Sequence, residues 1–103
     1  MGAPYFQVEI EQGTDPLRVI ANGELDAASA DQLAASLAAA HETGTSIALD
    51  LGGVTFIDSS GLRVIAAEVS RSEETGETFA VSVASDAVRR IFEMTGLTAL
   101  ITS

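Results

Sequence analysis

The sequence contains no cysteine and no lysine, and only one histidine and two prolines in 103 residues. Without cysteine there are no disulfides, no thiol redox chemistry and no thiolate zinc sites. Without lysine, Schiff-base catalysis and a phosphate-loop lysine are excluded as well. Positive charge is scarce: all five bases are arginine, against 15 acids, for a net charge of −10. A duplex-binding surface needs clustered positive charge, so nucleic acid is not an expected partner. No segment approaches the ~18 uninterrupted apolar residues of a membrane helix, so no membrane partner is expected either. The opening Met1-Gly2-Ala3-Pro4-Tyr5 lacks the basic-then-apolar pattern of a signal peptide, and the expected location is the cytoplasm.

What is present suits one domain over residues 1–103, with 47% apolar residues to build a core. Phe6, Val8 and Ile10 alternate with Gln7, Glu9 and Glu11, the period of a strand with one wet face. Turn residues from Gln12 to Pro16 precede a second extended run from Leu17 to Asn22, which predicts an antiparallel hairpin. Gly23-Glu24-Leu25-Asp26 is expected to lead away from the sheet. Ser29 and Gln32 form a capping box ahead of Ala30, Leu33, Leu37 and Ala40 at helical spacing, with Gly44 as the stop.

Ile47 to Leu51 is a nearly continuous apolar run, the pattern of a strand with little wet surface, broken at Gly52-Gly53. Val54 to Ile57 is extended again. After Asp58-Ser59-Ser60-Gly61, the residues Leu62, Ile65, Ala66 and Val69 predict an amphipathic helix ending at Gly76. Its Arg63, Glu68, Ser70 and Arg71 are expected to point elsewhere. Glu73, Glu74 and Glu77 read as a solvated loop. Phe79, Val81 and Val83 predict a strand. Ser85 or Asp86 caps a third helix through Val88, Ile91, Phe92 and Thr95, with Gly96 beyond it and a short extended piece from Ala99 to Thr102. The order β-β-α-β-α-β-α-β predicts an α/β fold: a mixed sheet, opened by the hairpin and mainly parallel thereafter.

Catalysis finds little support. Ser59 at a strand-to-helix turn has only half of a Gly-x-Ser-x-Gly elbow, since Ile57 occupies the first glycine position. His41, near the end of the first helix, would have to cross the fold to serve as its base; interaction with the helix terminus is the simpler expectation. Asp26, Asp50 and Asp58 have no metal-site spacing, so neither catalytic nor metal-binding residues are assigned. The serines at the helix start remain. As structure, Ser59 or Ser60 caps the helix while Asp58 complements its dipole. As function, one of the two hydroxyls accepts a phosphate, which a helix N-terminus accommodates and which adds ~1.5 to 2 negative charges beside Asp58.

Leu49-Asp50-Leu51 followed by Val54-Thr55-Phe56-Ile57-Asp58-Ser59-Ser60-Gly61-Leu62 resembles the signature of STAS domains, specifically bacterial anti-sigma-factor antagonists. Gly23-Glu24-Leu25-Asp26 matches the family's other marker, and Val88 to Leu97 is similar to its late helix and ending. The resemblance covers nearly the whole chain. It implies helices packed mainly on one side of the sheet. It also implies a regulator that, unphosphorylated, binds an anti-sigma factor with serine-kinase activity and so frees a sigma factor. That kinase phosphorylates the first serine after the aspartate, here Ser59, and a serine phosphatase reverses it. ATP and magnesium belong to the kinase, so no cofactor is expected here and the chain is a substrate rather than an enzyme. By the same resemblance Asp26, Asp58, Ser60 and Gly61 surround the switch, Ser60 is the expected cap, and Glu24, Phe56, Ile57, Leu62 and Arg63 are candidate partner contacts. The alternative is a non-switching STAS module, either a scaffold in a stress-sensing complex or a partner of lipid-transport machinery. Arg63 departs from the small residue usual at that place and is expected to alter kinase preference.

Overall fold

The computed structural model describes residues 5–101. Its elements run β1 (Phe6–Glu11), β2 (Leu17–Leu25), α1 (Ala30–His41), β3 (Ile47–Ile57), α2 (Ser59–Thr75), β4 (Phe79–Ala84) and α3 (Asp86–Thr95), then a 3₁₀ turn (Thr98–Leu100). The sheet order is β1-β2-β3-β4, with β1 antiparallel to β2 and the other neighbours parallel. This is the mixed sheet expected from the order of elements.

Alternation fixes which face is covered, because successive side chains on a strand point to opposite sides. Ile10, Val19, Leu49 and Val81 stand in register across all four strands, as do Leu17, Ile47 and Phe79 across three. These rows form the core with Leu33 and Leu37 of α1, Ile65 of α2, and Val88 and Phe92 of α3. The opposite face carries the row Glu11, Arg18, Ala48 and Ala80. There Arg18 bridges Glu11 at 3.1 Å and Asp50 at 3.2 Å. The helices cover one side only, and charge occupies the other.

Both glycine-containing breaks read from the sequence are continuous strand. β2 carries on through Gly23 to Leu25, and β3 through Gly52-Gly53 to Ile57. The pairing survives by slipping register between Ile20 and Asn22 and again between Gly23 and Glu24. Gly23 makes the slip possible: at φ 107° it adopts backbone that side-chain-bearing residues rarely take, and it lies against the carbonyl of Tyr5. The final strand is also different. Thr98 to Leu100 form a 3₁₀ turn, Ile101 makes a single bridge to Val81, and Thr102 lies outside the described residues.

The helix ends follow the sequence more closely. Gly76 and Gly96 take the left-handed conformation beyond α2 and α3, and Ser85 caps α3 by accepting from Val88 N–H at 3.3 Å. The face of α2 is rotated from the expected one. Gly61, Ile65, Glu68 and Ser72 are buried, whereas Ala66 is exposed and Leu62 and Val69 are half-buried. Glu68 therefore points inward, where it forms an ion pair with His41 at the end of α1. His41 thus serves a side chain on the neighbouring helix rather than its own helix terminus. Glu73 and Glu74 belong to the exposed last turn of α2, not to a loop.

Candidate functional site: the start of the second helix

Parallel pairing of β2 with β3 sets Glu24 against Phe56 and Leu25 against Ile57, so both strands end together. The next residue on each is an aspartate. Strands in a sheet run about 4.8 Å apart, so Asp26 and Asp58 leave it side by side. Asp58 N–H also donates to Leu25 C=O at 3.2 Å, tying the two exits.

The carboxylates then do different work. Asp26 folds its side chain into its own turn, where Oδ1 accepts from Ala28 N–H at 3.0 Å and from Ser29 N–H at 3.2 Å. Ser29 is fully buried beneath it; its hydroxyl donates to Glu24 C=O at 2.7 Å and accepts from Asp26 N–H at 2.9 Å. That hydroxyl makes no capping bond to α1, so the capping box read at Ser29 and Gln32 does not form. The tight β2–α1 turn outcompetes it for the serine oxygen.

Asp58 is the N-cap of α2, with Oδ1 accepting from Ser60 N–H at 2.9 Å. This corrects the expectation that Ser60, or either serine, is the cap. Extended backbone at Asp58 (φ −122°, ψ −171°) aims its carboxylate at the first free amides, where both a hydrogen bond and the helix dipole favour it. The cap leaves Ser59 as the first helical residue, exposed, with its hydroxyl engaged by no described residue. Ser60, one position on, is half-buried.

Gly61 sets how closely this corner packs. A Cβ there would come within 2.6 Å of Leu25 Cγ and 3.2 Å of Ile57 Cγ1. Only hydrogen at this position lets the first turn of α2 rest on the paired ends of β2 and β3. Around the corner Glu24, Phe56 and Arg63 are exposed and Leu62 is half-buried. Ile57, expected among the partner contacts, instead points into the core, with 7% of its surface exposed. A cleft of about 380 Å³ runs from Ser60 and Arg63 between α1 and α2, lined also by Ala30, Asp31 and Val64. Among the described residues no group of acidic or histidine side chains could hold a metal.

Residues 5–103 match the family described as the STAS domain. The chain belongs to that family. A curated relative, the anti-sigma-B factor antagonist of Bacillus subtilis, is 29% identical over 89% of this chain and 84% of its own. The crystal structure of an anti-sigma factor antagonist from Mycobacterium paratuberculosis is 28% identical with a TM-score of 0.81, over 98% of this chain and 87% of that one. The antagonist SpoIIAA shares the fold in its unphosphorylated form, with a TM-score of 0.76 at 24% identity over 93% of this chain and 86% of that one. Its phosphorylated form, described as a Bacillus cell fate determinant, gives 0.71 at 23%, over 93% and 89%. The fold expected from the resemblance, a mixed sheet with three helices, is the STAS fold of these structures.

Proposed function

We propose that this STAS domain is an anti-sigma-factor antagonist switched at Ser59. Unphosphorylated, it binds an anti-sigma factor with serine-kinase activity and releases the sigma factor; phosphorylation of Ser59 by that kinase weakens the complex, and a serine phosphatase restores it. The names of its relatives support the antagonist role. The observation that carries the switch is the free, exposed Ser59 hydroxyl at a helix start whose capping is already done by Asp58.

The mechanism is electrostatic and local. Because Asp58 supplies the cap, a phosphate on Ser59 removes no hydrogen bond from the fold, and the helix N-terminus tolerates the new anion. It adds ~1.5 to 2 negative charges at a corner from which Asp26 and Asp58 already emerge. Against a net charge of −10 the total hardly changes, so the effect is one of position. A partner that buries this corner must desolvate that charge or pair it, and an interface built for a neutral hydroxyl does neither. ATP and magnesium reside in the kinase; this chain contributes the acceptor hydroxyl and acts in the cytoplasm as a regulator.

The test is intact mass after incubation with a purified anti-sigma kinase of the same genome and ATP. A single added phosphate, lost in Ser59→Ala, is expected. Ser59→Ala is expected to keep partner binding and Ser59→Asp to weaken it. No added mass with any such kinase, or full binding by Ser59→Asp, overturns the reading.

A further inference from the structure

A stable protein interface takes about 800 Å² and some 20–30 residues from each side, far more than the loop around Ser59 provides. The neighbouring surface shows where the rest lies. Four large apolar side chains stand exposed among the described residues: Tyr5, Phe56, Val83 and Met94. Two of them, Phe56 at 48% and Met94 at 75%, flank one groove of about 260 Å³ between the end of β3 and α3. Thr55, Ala87 and Ile91 line it as well, and Arg90 stands at its edge. Ser85 fixes its geometry, since its hydroxyl donates to Val54 C=O at 2.6 Å while capping α3. The groove is smaller than the ~300 Å³ at which small-molecule sites begin, and an inserted side chain fits it better than a metabolite.

We propose that this groove is the second arm of the surface that docks the anti-sigma partner. An apolar side chain of that partner enters between Phe56 and Met94, and a neighbouring carboxylate of the partner meets Arg90. The inference rests on the reading of Ser59 given above and extends it to α3. Two observations join the arms. Phe56 lies three residues before Ser59, within roughly 10 Å of extended chain, so one partner can cover both. Arg90 is also one of only five positive side chains in a chain of net charge −10, and no described carboxylate pairs with it. Its guanidinium is left for a carboxylate from outside. Met94 suits such a contact because its flexible thioether adapts to the entering side chain. The phosphate on Ser59 does not touch this arm, so its contacts serve the phosphorylated and unphosphorylated forms alike.

The test uses the full chain and a purified anti-sigma kinase of the same genome that binds the wild type. Arg90→Glu and Met94→Glu are each expected to weaken binding by about tenfold or more. The milder Met94→Ser should weaken it in the same direction, and thermal melts should match the wild type. Reversing the facing carboxylate of the kinase to lysine should restore binding to Arg90→Glu. The ratio of affinities between wild type and Ser59→Asp should be the same with and without Met94→Glu. If both charged variants bind within about twofold of wild type while Ser59→Asp binds weakly, the α3 arm is wrong and the Ser59 reading stands. If no such kinase binds or phosphorylates the wild type, the Ser59 reading falls and this one with it.

Discussion

Gly61 lies directly on Leu25: a methyl group at position 61 would meet Leu25 Cγ at 2.6 Å. Leu25 is fully buried, and Ile57 Cγ1 would also lie 3.2 Å from the new methyl, so the two paired strand ends crowd it together. Gly61→Ala therefore forces the first turn of α2 off the sheet, even though alanine is the better helix former. The expected loss is about 1–3 kcal/mol in urea unfolding, against the ~1 kcal/mol gain that propensity alone would give. A stabilised Gly61→Ala protein would show that the corner can open without strain.

Asp58 combines a cap and a charge, and two substitutions separate them. Asp58→Ala removes the bond to Ser60 N–H and is expected to lose about 1 kcal/mol of stability. Asp58→Asn keeps a capping oxygen and should stay within about 0.5 kcal/mol of wild type. If the charge of Asp58 contributes to the switch, Asp58→Asn also narrows the affinity gap between the phosphorylated and unphosphorylated forms. Calorimetry with the partner measures that gap directly.

His41 and Glu68 join α1 to α2 where little water reaches, their side chains only 10% and 3% exposed. Removing one member strands the other. Glu68→Ala is expected to destabilise by roughly 3 kcal/mol, whereas replacing both residues with apolar ones of similar volume recovers much of that loss. A double-mutant cycle in denaturant should return a coupling of about 1 kcal/mol or more; additive losses would mean that the two side chains act independently.

Arg18 provides the contrast. It bridges Glu11 and Asp50 on the open face of the sheet, and its own side chain is 42% exposed. Solvent screens such pairs, so Arg18→Ala should change stability by no more than about 1 kcal/mol, and by less as salt rises. Urea unfolding at low and high ionic strength checks both statements.

A chain with 15 acids and five bases should be drawn to a basic partner surface from a distance. Association with the anti-sigma partner is expected to slow as salt rises, while dissociation changes little. Stopped-flow mixing across a salt series separates the two rates; a salt-independent association rate would count against steering.

Much of this was written in local patterns. Period-two alternation marked β1 and β4, a nearly continuous apolar run marked β3, glycines marked the ends of α2 and α3, and the Asp-Ser-Ser-Gly run marked the corner where Ser59 stands. Such signals depend only on neighbours along the chain, and any one sequence exposes them. The failures were equally local in form. Ser29 had the look of a helix cap, yet its hydroxyl is consumed by the backbone of Glu24 and Asp26. Gly23 and Gly52-Gly53 had the look of breaks, yet pairing between β2 and β3 carries on past them, with register slips on either side of Gly23. For Ser29 the competitor lies only a few residues back, in the tight turn out of β2; for the glycines it is the paired neighbouring strand.

Sequence alone determined the order of elements from β1 to α3, the wet and dry faces of β1 and the position of a serine pair at a helix start. Tertiary structure decided which oxygen caps that helix, that Glu68 turns inward to His41, that Ile57 is core, and that Phe56 and Met94 share a groove. Periodicity states that a residue has a buried side without saying what waits there. Pairing of β2 with β3 and packing of the helices on one face supply those neighbours, and the neighbours assign each side chain its work.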